Sequence, residues 1–244
     1  MATSQRGLFL NQRKYVMDLL EEAKFTDCKP VVTPIESKLK LTIHGEALKN
    51  VTYYQRLVSK LIYPTITRPD ITFAVSLVSQ FMHAPTLEHL NIFKWILRYL
   101  KGSIDRGILM RNNHSTKIHA YTDADWAGSA IGRKSTTGYC TFVGGNIVTW
   151  KSKKQQVIAR SSDEAEYQAM VATACELIWL KSLLFDLGFS STTPMSLMCD
   201  NQAAMHIAEN PVFHERTKNH GYSIGCMAPS VFPNRLCVNL FLVL

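Results

Sequence analysis

Three acidic clusters in this chain sit where carboxylates do chemistry rather than pack. In Tyr121-Thr-Asp-Ala-Asp-Trp-Ala-Gly128, Asp123 and Asp125 close an apolar, strand-like run. Strand side chains alternate, so residues two apart point to one face. Ser161-Ser-Asp-Glu-Ala-Glu166 opens a long apolar helix-like stretch, and Met198-Cys-Asp-Asn201 ends a second strand-like run. Hard oxygen donors placed at the ends of separate elements suit a Mg²⁺ site, and such sites serve phosphodiester chemistry.

The elements that must carry these acids follow from periodicity and punctuation. From residue 107 the pattern reads as strands. Gly107–Met110 is short and closes a first unit, Lys117–Asp123 leads the second, and Tyr139–Val143 and Asn146–Lys151 flank a Gly144-Gly145 hairpin turn. A helix is expected over 162–187, with Ser161 and Glu164 spaced as a capping box and Gly188 as the stop. Met195–Cys199 reads as a strand and Gln202–Glu209 as a short helix. Glu164 and Glu166 lie about 200° apart around a helix, so only one can face a shared site. Glu164 fits the capping role. Upstream, a short strand at Gly7–Leu10 precedes helices expected at Gln12–Lys24, Tyr53–Tyr63, Asp70–Met82 and Thr86–Lys101. Pro64 is expected to break the second of these.

The 244 residues, 46% hydrophobic, suffice for one large domain or two small ones. Net charge is +8, and residues 1–110 hold 15 Lys+Arg against 9 Asp+Glu. A basic body beside an acidic pocket suits a polyanion. The six cysteines form no CxxC pair and read as small core residues of a reducing compartment. Met1–Gly7 lacks a signal-peptide core and no run reaches transmembrane length, so the expected setting is intracellular, cytoplasmic or nuclear, with no membrane partner.

The ordered motifs resemble the C-terminal part of Ty1/copia-type retrotransposon Pol polyproteins: the end of reverse transcriptase followed by ribonuclease H. The resemblance rests on Gly7–Tyr15, Lys60–Tyr63 with Thr67–Ile71, and Arg98–Gly102. In the second half it rests on Tyr121–Gly128, Arg133–Tyr139, Trp150–Lys154, Ser161–Tyr167, Cys199–Gln202 and His214–Lys218. It implies an α/β fold. A ribonuclease H-like mixed sheet with flanking helices would occupy 111–218, after a mostly helical thumb- or connection-like segment over 1–110. Residues 219–244 would be a tail foreign to the family.

By motif, the resemblance assigns Asp123, Glu166 and Asp200 as catalytic residues and metal ligands. The ions would be Mg²⁺ or Mn²⁺, two of them, and the reaction hydrolysis of the RNA strand of an RNA–DNA hybrid. Asp125 and Glu164 are neighbours outside that set. Candidate nucleic-acid contacts are Arg133, Lys134, Ser135, Lys151, Lys153 and Lys154, with Arg68, Lys94, Arg98 and Lys101 in the first segment.

The chain departs from the family in two places. The polymerase Tyr-x-Asp-Asp motif would precede residue 1, and no adjacent Asp-Asp pair occurs, so DNA synthesis by this chain alone is not expected. After Arg216-Thr-Lys218 the family continues into a strand bearing a fourth carboxylate, whereas no Asp or Glu here follows Glu215. A frameshift near Lys218–Asn219 would account for this. The expected consequences are a missing final element, an exposed sheet edge, impaired hydrolysis and an aggregation-prone run at Leu236–Leu244. The alternative function is a catalytically inactive nucleic-acid-binding remnant.

Overall fold

A computed structural model of the chain describes residues 1–36, 45–129, 132–189, 193–209, 225–232 and 235–241, the last two stretches as backbone. The His214–Lys218 motif and the proposed frameshift point lie outside these residues. The chain divides into two compact units, Met1–Arg111 and Asn112–Leu244.

The first unit is mostly helical. Strands β1 (Ala2–Ser4), β2 (Gly7–Leu10) and β3 (Ile108–Met110) form an antiparallel three-stranded sheet in that order. β1 is too short and polar to announce itself by alternation. Helices α1 (Arg13–Glu22), α2 (Val51–Ile62), α3 (Thr72–Ser79) and α4 (Leu87–Lys101) follow. They bury one cluster that includes Leu20, Tyr54, Leu57, Leu61, Phe93, Ile96 and Leu100. α2 starts at Asn50, whose side chain accepts the Tyr53 N–H. It ends at Ile62, and Tyr63–Ile66 continues as a 3₁₀ turn containing Pro64. This is the break expected there, since proline lacks the N–H an α-helix needs. Pro69–Ile71 forms another 3₁₀ turn, so the third helix begins and ends inside the expected 70–82 span.

One sequence expectation fails in this unit. Arg68 is not a nucleic-acid contact, because it is 2% exposed. Its guanidinium donates to Asp70 and to the Ser103 carbonyl and hydroxyl, and the Tyr99 phenol donates to Asp70 at 2.6 Å. Arg98 is half-buried, donating Nε–H to the Lys29 carbonyl and lying over the Trp95 ring.

The second unit is built on a six-stranded mixed sheet. Its strands are β4 (Ile118–Asp125), β5 (Thr136–Val143), β6 (Asn146–Lys154), β7 (Met195–Cys199), β8 (Gly225–Phe232) and β9 (Arg235–Phe241). Their order is β6-β5-β4-β7-β9-β8, with only β4 and β7 parallel. The β5–β6 turn uses Gly144 and Gly145 at φ +56° and +80°, as a tight primed hairpin requires. Helices α5 (Ser162–Asp186) and α6 (Gln202–Glu209) complete the unit. Ile118, Ala120, Met170, Leu177, Leu197 and Met205 are among the buried core residues.

Two further expectations are corrected here. The β7 edge is not exposed: β9 pairs with it antiparallel from Met195↔Leu240 to Cys199↔Leu236. The largely apolar Leu236–Phe241 stretch of the tail supplies that strand. The β8–β9 ladder shifts register between Met227 and Ser230, a stretch that contains Pro229. Second, α5 is long and apolar enough by length and composition to cross a membrane, although no run was expected to reach that length. Three acids in its first turns and Glu176 and Lys181 further on interrupt the run by eye, yet the stretch that holds the last two is apolar on average. Here Met170, Ala174 and Leu177 are buried in the core with residues of β4 and β7.

Candidate metal centre

The parallel pair β4–β7 brings Asp123 and Asp200 to the same end of the sheet. His119↔Ser196 and Tyr121↔Met198 are paired, so Asp123 leaves β4 beside the point where Asp200 follows β7. Helix α5 brings the third acid. Ser161 Oγ accepts the Glu164 N–H at 3.1 Å, and Glu164 Oε2 accepts the Arg160 N–H at 2.7 Å, so Glu164 caps the helix as expected. Two residues on, Glu166 points into the sheet and is 6% exposed. Deeper along α5, the Thr173 hydroxyl donates to the Ala169 carbonyl and lies 3.0 Å from the Thr122 hydroxyl of β4. That buried contact fixes the helix against the strand carrying Asp123.

Glu166 Oε1 accepts the Ala124 N–H at 3.0 Å, and its other oxygen lies 3.9 Å from Cys199 Sγ. Burial pushes the Glu166 carboxyl up to about 7, and the charges of Asp123 and Asp200 push in the same direction, while the Ala124 N–H opposes them. The Glu166 and Asp123 carboxyls also share a hydrogen bond that favours the protonated form. Ligand atoms of Glu166, Cys199 and Asp200 all lie within 4.8 Å of one another. Asp123, Cys199 and Asp200 line a depression of about 210 Å³ with Tyr121, Thr122 and Met198.

The donor chemistry fits a hard divalent cation. Three carboxylates converge at one strand end, and the charge of one of them, Glu166, is disfavoured by burial and by its neighbours, a cost a bound cation would relieve. Cys199 is a sequence-level surprise, since it reads as plain core. Burial pushes its thiol up to about 12, with the three neighbouring acids adding to the shift, so it stays neutral and is no competing thiolate.

Asp125 lies on the same sheet face as Asp123 but folds back onto Gly128, where any Cβ would collide with its carboxylate. Burial raises its pKa, with Asp123 adding to the shift. It therefore packs the turn that follows β4. Trp126 Nε1 donates to the Ala159 carbonyl and the Ala127 N–H donates to Ser135 Oγ, completing that turn.

The candidate nucleic-acid contacts separate into groups. Ser135 is fully buried, and its backbone carbonyl accepts the Gln155 N–H, so it braces loops and meets no solvent. This corrects its assignment, which rested on the motif without its burial. Arg133 and Lys134 precede β5. Lys134 lies close enough to depress the Lys154 ammonium, after the larger effect of burial. Register places Asp125, Thr136 and Lys154 in one cross-strand row, and Asp123, Gly138 and Ser152 in the next. Gly138 thus leaves a side-chain-free lane between Asp123 and the β6 edge. Lys151 and Lys153 are exposed and share the face of Thr137 and Tyr139, toward α5.

Sequence reasoning also missed Asn201 and Gln155. Asn201 donates to Asp163 Oδ1 and accepts the Ala204 N–H, tying the starts of α5 and α6 together beside Asp200. Gln155 donates Nε2–H to Thr137 Oγ1 and to the Ala165 carbonyl. Each follows or ends a motif, and neither is marked by periodicity.

The Pol polyprotein of transposon RE2 from Arabidopsis thaliana, termed retrovirus-related, is 44% identical over 215 residues, which is 88% of this chain and 15% of that protein. The corresponding polyprotein of transposon RE1 from the same plant is 45% identical over 214 residues, again 15% of its length. An uncharacterized mitochondrial protein of Arabidopsis thaliana is 44% identical over 177 residues, covering 72% of this chain and 74% of that protein. The chain belongs to the retrovirus-related Pol polyproteins of copia-type transposons. It spans only about 15% of the length of the RE1 and RE2 polyproteins. No family model matches the chain, and no solved structure is similar to it. In this chain the three acids fall in the second unit, on β4, α5 and just after β7.

Proposed function

We propose that the second unit of this retrotransposon-derived protein is a ribonuclease H-like domain that hydrolyses the RNA strand of RNA–DNA hybrids. The observation that carries the reading is the convergence of Asp123, Glu166 and Asp200 at the ends of β4, α5 and β7. These three residues would hold Mg²⁺ or Mn²⁺, two ions in the full reading. When bound, the metal would supply Lewis-acid activation of water and stabilisation of the leaving 3′ oxygen.

The chain's own residues supply the rest. A bound cation would favour the charged form of Glu166, which burial disfavours in its absence. The Ala124 N–H and the Ser161 cap hold the Glu166 end of α5 against β4. The Gly138 lane admits a backbone beside Asp123. Arg133, Lys134 and Lys154 at its far end would contact phosphates without reading sequence. The setting of such an activity is intracellular, cytoplasmic or nuclear.

A second reading is supported by the acid-free sequence after Glu215. On that reading the domain binds hybrid but cleaves poorly or not at all. Purified protein is incubated with a labelled RNA–DNA hybrid and Mg²⁺ or Mn²⁺, beside Asp123→Asn. RNA-strand cleavage absent from the variant supports the hydrolase. Salt-dependent binding by folded protein without cleavage supports the remnant.

A further inference from the structure

A largely uncharged seam runs along the solvent side of α5. Ala172, Cys175, Trp179, Ser182 and Asp186 recur at alternating spacings of three and four residues. With Leu183 they fall within about 100° of arc around the helix. All of them are exposed. Alternating three- and four-residue spacing is how a helix presents a continuous stripe to a second helix. The seam's single charge is Asp186, at its far end.

The apolar surface grows toward the end of the helix. Trp179, Leu183, Phe185, Leu187 and Phe189 are between 38% and 68% exposed. At about 200 Å² for a large side chain, those fractions leave roughly 500 Å² of apolar surface in water. A patch of that size stands near the upper end of what a monomer shows. Two copies laid together would cover about 1,000 Å², the area a specific interface needs.

The occupant that fits is the same helix of a second copy, running antiparallel across a two-fold axis at Trp179. Each residue then lies level with the one equally far beyond Trp179. Cys175 meets Leu183, a small side chain opposite a large one, and Trp179 meets its own counterpart. Ala172 comes level with Asp186. Lys151 and Lys153 of β6 line the same flank of α5 as Ala172 and Cys175, so the incoming Asp186 arrives beside two cations. The seam is thus self-complementary in shape and in charge, as an isologous contact requires. Glu166 lies about 140° around α5 from Trp179, so the pairing leaves the carboxylate centre uncovered.

We propose that this chain forms a two-fold symmetric dimer in which the Ala172–Asp186 seams of α5 pack antiparallel. Sedimentation equilibrium of the full chain over a range of concentrations tests this, with melting temperatures matched between variants to verify folding. A reversible monomer–dimer equilibrium is expected. Trp179→Glu or Leu183→Glu should weaken it about a hundredfold, since a central apolar anchor is lost from both copies. Met17→Glu, at an exposed apolar residue of α1, should leave it unchanged. Asp186→Lys should weaken it about tenfold, and adding Lys151→Glu/Lys153→Glu should restore it. The dimer is overturned if the chain stays monomeric throughout, if association continues beyond two copies, or if the α5 variants behave like Met17→Glu. Failure of the reversed lysines to restore Asp186→Lys overturns it as well. Because α5 is long and apolar enough to enter a membrane, flotation with phosphatidylcholine vesicles is run alongside. A monomer that floats with the vesicles, and ceases to in Trp179→Glu, identifies a membrane surface as the occupant instead.

Discussion

Replacing Glu166 by Gln should make the metal-free protein more stable at pH 8 while removing its response to metal. The wild-type carboxyl is raised from 4.5 to about 7 by burial, Asp123 and Asp200. That displacement corresponds to about 3 kcal/mol of preference for the protonated form. A group whose folded pKa is raised favours folding below its unfolded pKa, and this contribution is lost as pH rises through the folded value. Wild-type stability should therefore fall between pH 4.5 and about 7 on account of this residue. Glutamine keeps an oxygen for the Ala124 N–H but carries no charge, so its stability should lack that fall. The expected difference at pH 8 approaches about 3 kcal/mol in favour of Glu166→Gln, shrinking toward zero at pH 4.5. Urea unfolding at both pH values, with and without Mn²⁺, gives both readouts. Mn²⁺ should stabilise the wild type and leave the variant unmoved. If wild type and variant show the same pH slope, the raised carboxyl is wrong. If Mn²⁺ stabilises both equally, Glu166 is not a ligand.

Two further outcomes concern the first unit. His89 is buried with Nδ1 accepting the Thr86 N–H, and burial lowers its pKa below 6.5. Its contribution to stability is present above pH 6.5 and is lost as pH falls through the folded value. Trp95 is the unit's single tryptophan, so its fluorescence should report an acid-induced weakening that His89→Gln diminishes. Arg68→Ala removes the partner of Asp70 and Ser103 and should cost about 2 kcal/mol, because it leaves the buried Ser103 carbonyl without that donor while the part-exposed Asp70 keeps the Tyr99 phenol. Thermal unfolding followed at Trp95 would measure it, and a loss below about 1 kcal/mol would show that the network is dispensable.

The sequence announced those elements whose periodicity and punctuation agree. α5 carries a cap at Ser161, a stop at Gly188 and an apolar middle, and its observed bounds fall within a residue of expectation. The Gly144-Gly145 hairpin was equally legible, because the positive φ values it needs restrict the residue types. The three acids were legible as ends of elements. What was hidden depends on three-dimensional surroundings. Ser135 and Arg68 have the chemistry of nucleic-acid contacts, and only burial reveals them as internal braces. Cys199 enters the acidic cluster because β7 lies beside β4, a neighbourhood that no local pattern encodes. β9 was misread as surplus because the sheet edge it would cover cannot be seen in sequence.

The position of Pro229 bears on how this chain behaves in company. A sheet that ends in a regular, fully armed strand offers a template on which copies can stack without limit. Here the most apolar tail strand, β9, lies inside the sheet, and the outermost strand is β8. Proline cannot donate to a ladder, and the register of β8 breaks across the stretch that contains it. A strand approaching the β8 edge would thus meet an interrupted ladder rather than a continuous rail.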